Sequence, residues 1–388
     1  MKTIRNQKVQ RLFIQYGFLG SLLFLLIFSI LIARDNLAAQ GITSGFAFLQ
    51  RTTGWEVGFS LIPYEAGDNY GRVILVGFLN TLLLGAITLP LATVLGVIVG
   101  VMRTLDNKMS RIVGTTYVEI FRNIPLILQL LVWYALLRAL PPPRSAISIG
   151  ESVFLTGRGI FMPGFNVPAL WTIAAFLILL TSLFVMQWFR KARRFYHVAA
   201  QTKRNGSLAI IGIGLVVAAG IITATREAGL PLVTFPSLKG LNFRGGLNLT
   251  TEISAMILAI SVYGGAYIAE IIRAGFNAVP SGQAEAGRAV GLSEWNIFSR
   301  IRLPLAVRIV MPTLINQYVW LMKATTLGVA IGFSDYFAVI STSISQSGQT
   351  LELIGLLMGG FVLVNYFIAW ALNRLNDAIK LQGTQLRI

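Results

Sequence analysis

The chain has 388 residues, of which 55% are apolar and only 12% charged, whereas a soluble protein needs roughly a quarter of its residues charged to cover its surface. Most of this surface therefore faces lipid, and the protein is integral to a membrane. The net charge of +17 falls in short runs between apolar segments with no long polar domain around it, which excludes nucleic acid as a partner. There is no cysteine, hence no disulfide frame and no thiolate metal site. The single histidine, His197, sits in the run RKARRFYH and reads as a wetted loop residue rather than a ligand. No Walker A sequence is present, so the chain does not bind ATP in that way.

Crossing about 30 Å of hydrocarbon takes roughly twenty apolar residues, and eight segments approach this length: 12–33, 73–102, 112–137, 167–189, 207–225, 253–272, 309–333 and 353–372. The first has a longer apolar stretch than the roughly 7–15 residues of a cleaved signal peptide, so it reads as a retained span. With a cytoplasmic N-terminus, twenty-one of the 32 Lys and Arg residues fall in inside segments and nine outside, with Arg122 and Lys323 within spans. That bias predicts both termini in the cytoplasm and accounts for the basic balance through the membrane surface alone.

Within the third span, YVEIFRNIP places Glu119 and Arg122 at i, i+3, a spacing that permits an ion pair or an interfacial elbow. Asn123 and Pro125 follow at once, and the proline frees a backbone carbonyl that another group must satisfy. Spans four and five form a pair that leaves the sidedness of the rest unchanged. The stretches around them, PPPRSAISIGESVFLTGRGIFMPGFNVP and EAGLPLVTFPSLKGLNFRGGLNLT, are punctuated by Pro and Gly with little periodicity and read as irregular outer loops. In span seven Lys323 lies deep in hydrocarbon, so it faces protein or water. Either it belongs to a translocation path or it pairs with a carboxylate such as Glu270. Asp335, at the outer end of that span, is placed to meet substrate on entry or to end the helix.

The largest inside loop, 273–308, contains PSGQAEAGRAVGLSEWNIFSRIRLP at 280–304. Pro280 and Ser281 signal a helix start, and a helix over 283–290 puts Ala284, Gly287 and Gly291 on one face. Glycine costs about 1 kcal/mol relative to alanine inside a helix, so the two glycines predict a close contact surface. The alternative for Gly291 is a left-handed cap that ends the helix.

Glu285, Ala286, Gly287, then Gly291, then Ile301, Leu303 and Pro304 together resemble the EAA loop of bacterial ABC importer permeases, with Gly287 where that family usually has alanine. The resemblance implies a coupling helix that docks on a cytoplasmic ATPase, involving Gln283, Ala284, Glu285, Ala286, Gly287, Arg288, Gly291, Ile301, Leu303 and Pro304. The stretches NTLLLGAITLPLATVLGVIVGVMR, YVEIFRNIPLILQLLVWY, GGAYIAEIIRAG and LMKATTLGVAIG are similar to the polar amino-acid permeases of the histidine and glutamine uptake group. The added N-terminal span and the segment between residues 138 and 251 resemble the extended subunit of general L-amino acid systems, of the AapQ/BztB kind.

The fold so implied is an all-α polytopic membrane protein of about eight transmembrane helices, with a type I importer core of five. Residues 1–72 hold the N-terminal segment, extra span and outer loop. Residues 73–137 form the first part of the core, 138–251 the insertion, 252–378 the second part with its coupling loop, and 379–388 a cytoplasmic tail. The function implied is that of an inner-membrane permease subunit that moves amino acids into the cytoplasm and is not itself an enzyme. Its partners would be a homologous permease in a heterodimer, two ATPase subunits that bind the ATP and magnesium, and a periplasmic amino-acid-binding protein. The chain itself would hold no cofactor. Candidate residues for the substrate path are Glu119, Arg122, Asn123, Glu270, Lys323 and Asp335. The alternative is an ion-coupled secondary transporter, for which repeat-related broken helices are expected and no convincing repeat is found. A membrane-embedded enzyme is disfavoured because the spans hold no histidine pair, cysteine or acidic cluster.

Overall fold

A computed structural model describes residues 2–39, 45–191, 200–226, 229 and 231–379. His197 and the expected tail from residue 380 onward lie outside the described residues. The helices in chain order are α1 (Lys2–Ala39), α2 (Tyr70–Met102), α3 (Lys108–Asn123), α4 (Leu126–Arg138), α5 (Ala169–Lys191), α6 (Ala200–Ala224), α7 (Thr251–Asn277), α8 (Ser281–Ala289), α9 (Glu294–Ile297), α10 (Leu303–Ala324), α11 (Tyr336–Ser347) and α12 (Thr350–Ile379). Among the described residues six helical stretches are long and apolar enough to cross a membrane, and a seventh is added if α3 and α4 count as one span. Eight were expected. The difference lies in α5, whose described apolar stretch is only Ala174–Leu183, and in the third span, which is broken.

That break is a bend of 102° between α3 and α4. Ile124 precedes a proline, which disfavours helical backbone for it, and it adopts φ −89°, ψ 125°. The carbonyls freed at the bend are met by one side chain: Gln129 Nε2 donates to Phe121 O at 2.8 Å and to Ile124 O at 2.9 Å. The buried Gln129 amide therefore satisfies backbone carbonyls that the break leaves without helical partners.

The core forms around α7, which packs on α2, α3, α4 and α10. Close approach of α2 depends on Gly96 and Gly100, four residues apart, because a Cβ on either would come within 2.5 Å and 2.7 Å of the Cβ atoms of Ile268 and Ile272. Small residues at this spacing let backbones meet where no hydrophobic force drives helices together. On another side of α7, Gly275 admits Val310 of α10. By contrast, α5 and α6 pack chiefly on each other, and the apolar window of α1 has no buried residue.

The insertion corrects the expectation of irregular loops. Its strands β1 (Ile147–Ile149), β2 (Val153–Thr156), β3 (Gly159–Met162) and β8 (Leu247–Thr250) form an antiparallel sheet in that order, and the pairs β4 (Gly164–Phe165) with β5 (Val233–Thr234) and β6 (Ser237–Lys239) with β7 (Asn242–Arg244) stand beside it. Phe243 stacks on Phe154 at 4.4 Å and lies 5.2 Å from Phe161, giving the sheet a small aromatic core. β3 pairs with a strand about ninety residues away, which a local reading of turn residues does not register. β8 runs without a break into α7, and Thr251 Oγ1 donates to Gly157 O at 3.0 Å, so the sheet is fixed to the central helix.

Gly96→Val should lower the stability of the detergent-solubilised protein by about 1–3 kcal/mol through overpacking, read as a lower thermal midpoint. Gly20→Val on α1, where a Cβ meets nothing within 4 Å, should leave that midpoint unchanged.

Candidate functional site

Between α7 and α10 the chain builds a compact helical loop. α8 begins after Pro280 and ends at Gly291, which has φ +78°. Gly291 N donates to Arg288 O at 2.9 Å and Leu292 N to Gly287 O at 3.0 Å, the paired bonds of a Schellman cap. Gly291 is thus the helix stop, and a Cβ there would meet open space. Gly287 is the one buried residue of α8, and its Cβ would lie 3.0 Å from Ile297 and 3.1 Å from Ile301. The expected face of Ala284, Gly287 and Gly291 is therefore not an outward contact surface, because Gly287 turns inward onto its own loop.

Ser293 caps α9, and Arg288 clamps α8 to it through two bonds to Glu294, Nε to Oε1 at 2.7 Å and Nη2 to Oε2 at 3.3 Å. Phe298 stacks on Phe276 of α7 at 5.5 Å and on Trp295 at 5.8 Å. The backbone then passes through one π-helical turn, Phe298–Arg302, directly into α10. Ile301, Leu303 and Pro304 are half-buried in this junction, and Pro304, which has no N–H to donate, follows directly on the π turn. Gln283, Glu285, Ala286 and Arg288 face outward. So do two residues that the sequence reading missed, Val290 and Trp295, which are 75% and 71% exposed. The signal available for them was a large apolar side chain in each of two short, otherwise polar helical segments.

A second constellation lies where α2, α3 and α7 converge. Glu270 of α7 accepts from Arg103 Nη1 at 2.5 Å, is bonded by Arg273 one turn on, and has Arg122 Nη1 at 3.8 Å. Gly114 makes room for the Arg103 stem, since a Cβ there would fall 2.7 Å from Arg103 Cγ. The Glu119–Arg122 pair permitted by spacing does not form. Glu119 instead accepts from Asn123 Nδ2 at 3.2 Å, and the Arg122 guanidinium lies 5.0 Å over the ring of Tyr267. Of the predicted path residues, the structure brings Arg122 and Glu270 together and adds Arg103 and Arg273.

Lys323 is not part of this cluster and does not pair with Glu270. It is exposed in the last turn of α10, and no carboxylate lies within ion-pair distance of it among the described residues. Thr313, Asn316 and Trp320 are exposed on the same helix at spacings of three and four, giving α10 a polar stripe. Asp335 stands apart again. It starts α11 rather than ending a helix, with Oδ1 accepting from Ala338 N at 2.8 Å, and it is fully buried. Asn80 Nδ2 donates to the neighbouring Ser334 O at 2.8 Å, and Thr81 Oγ1 accepts from Tyr336 N at 2.9 Å. Burial pushes the Asp335 carboxyl up to about 7, and an incoming solute has no open face to reach.

Residues 92–380 match the model of the family described as binding-protein-dependent transport system inner membrane component. The chain belongs to that family. It is 39% identical to YhdX of Escherichia coli strain K12 over 89% of this chain and 88% of that one. It is 36% identical to the general L-amino acid transport system permease protein AapQ of Rhizobium johnstonii over 82% and 79%. To the glutamate/glutamine/aspartate/asparagine transport system permease protein BztB of Rhodobacter capsulatus it is 31% identical over 89% and 88%. Among solved structures, an amino acid ABC transporter with histidines aligns at 17% identity and a TM-score of 0.46, covering 80% of this chain and 95% of that one, too loose a likeness to add weight. The permease is thus a member of the ABC-type amino-acid importers, which is at odds with the secondary-transporter alternative.

A folded-state carboxyl raised from its ordinary 3.8 to about 7 costs stability as pH rises through that interval, in full above it. Asp335→Asn, which keeps an acceptor for the cap, should therefore raise the thermal midpoint at pH 8, and the gain should shrink steadily as pH falls to 5. Gly291→Ala should destabilise the loop by about 1 kcal/mol through its left-handed backbone, measured as faster amide exchange over α8. Gly287→Leu should expose the whole of residues 281–302 to exchange.

Proposed function

We propose that the permease is one half of a two-subunit pore that moves amino acids from periplasm to cytoplasm, driven by a separate ATPase that acts on the α8–α9 loop. The observation that carries this reading is the build of that loop. It is stiffened by the Arg288–Glu294 clamp and the Phe276–Phe298–Trp295 stack, yet it presents Val290 and Trp295 to the outside. Two large apolar side chains exposed on a rigid polar scaffold suit a partner groove. The charge bias of the inside segments supports placing this loop, and both termini, in the cytoplasm.

The loop is continuous with α10 through the π turn and held to α7 by aromatic stacking. A partner that grips it more tightly in one nucleotide state than in another would shift the balance between pore conformations, which requires such differential contact. ATP and magnesium belong to the ATPase subunits, two of them, and this chain supplies no cofactor site of its own. Asn316 and Lys323, on the exposed stripe with Thr313 and Trp320, are costly to hold in lipid. The stripe suits a water-filled path closed on its far side by a homologous permease, in a heterodimer. A periplasmic binding protein would deliver the solute, and the names of AapQ and BztB favour polar or broad-specificity L-amino acids.

The test is ATP-driven uptake in cells or proteoliposomes carrying Val290→Asp with Trp295→Ala. Uptake should fall at least about tenfold, as expected for the loss of apolar anchors worth some 2 kcal/mol. Copurification of the ATPase should fall with it while the permease stays in the membrane. Normal uptake with normal copurification would overturn the reading, as would transport that survives ATP depletion but collapses with an ionophore.

A further inference from the structure

Around Glu270 the charges do not balance. Three guanidinium groups, those of Arg103, Arg122 and Arg273, share one carboxylate, which leaves a surplus of two positive charges, and no second carboxylate lies within ion-pair distance of them among the described residues. Arg103 is almost wholly enclosed, with 8% of its side chain exposed, whereas Arg122 and Arg273 keep 36% and 35%. The cluster therefore has a closed back and an open front. The Nε atoms of Arg103 and Arg122 are both buried without a hydrogen-bond partner, so Glu270 alone does not satisfy the cluster.

An aromatic ladder leads away from the open side. Arg122 lies over the half-buried Tyr267, and Tyr267 stacks at 6.4 Å on the exposed Trp320, with the buried Tyr263 packed against both rings. Trp320 precedes Lys323 by three residues, hence on the same face of α10, and Lys323 is itself exposed. One surface thus carries a lysine at one end, π faces in the middle and an arginine cluster at the other. A zwitterionic amino acid has a group for each part, since its ammonium is attracted to aromatic faces and its carboxylate to guanidinium in paired hydrogen bonds. A cationic side chain finds only like charge at both ends, whereas an acidic one finds a second partner.

We propose that the surface from Lys323 through Trp320 and Tyr267 to Arg122 is a carboxylate-receiving path that passes acidic and neutral amino acids and disfavours cationic ones. This rests on the reading of the chain as an amino-acid permease and adds its substrate class, with Arg122 as the residue that sets it. The discrimination comes from repulsion as much as attraction, the usual way a site rejects a near neighbour of its ligand.

The experiment compares ATP-driven uptake of glutamate, glutamine and lysine by the complete importer in proteoliposomes, with its binding protein unchanged. Arg122→Gln should lower the maximal rates for glutamate and glutamine about tenfold relative to lysine, the effect expected for one charge-assisted contact, and Arg122→Lys should restore most of the ratio. Equal loss for all three substrates would mean that Arg122 only braces the helices, and unchanged rates would mean that the path lies elsewhere. Either result overturns the proposal while leaving the importer reading intact. Absence of ATP-driven uptake of all three amino acids by the unaltered complex would overturn both.

Discussion

Three arginines from three points of the chain meet on one carboxylate, and much of the fold is arranged around that meeting. Glu270 sits on α7, the most enclosed helix, and holds Arg103 at the end of α2, Arg122 at the end of α3 and Arg273 on its own helix. Charges at the edge of an apolar bundle are costly alone, and removing one partner of such a buried set costs on the order of 3 kcal/mol, less whatever its partial exposure screens. The carboxylate therefore fixes where α2 and α3 end relative to α7. It also holds Arg122 at the surface, next to the aromatic ladder, instead of letting it fold back along α3 toward Glu119.

The same central helix is approached through missing side chains. Gly96 and Gly100 bring α2 onto α7, and Gly275 admits Val310 of α10. Helices packed at this distance cannot slide past one another without collision. The sheet of the insertion continues into α7 from the other end. One helix is thus in touch with the loop, the charge cluster, the ladder and the insertion, a connectivity that no single stretch of sequence announces.

Much of this was legible in the residues. The long apolar segments, a short helix expected over 283–290 and found at Ser281–Ala289, the stop at Gly291 as one of two readings, and the break at Pro125 follow from local chemistry: hydropathy, capping and the geometry of proline. What misled was assigning direction to a side chain from spacing alone. Spacing put Gly287 on a face but not which way the face turned, and it let Glu119 reach Arg122 without showing that Glu270 was nearer. Val290 and Trp295 escaped notice because exposure is a property of what surrounds a residue. The insertion read as loops because β3 and β8 are separated by most of two helices, and pairing at that range leaves no periodic mark.

The sequence by itself determined that the chain lives in a membrane, roughly where it crosses, and which loop carries a short helix with a defined end. Those properties depend on transfer free energy and on backbone preferences within a few residues. Only the tertiary structure decided which arginines share Glu270, that Lys323 has no carboxylate beside it among the described residues, that Asp335 is sealed at the start of α11, and that the insertion is a sheet tied to α7. Each of these depends on contacts between residues tens to hundreds of positions apart, and on the enclosure that sets the cost of a charge.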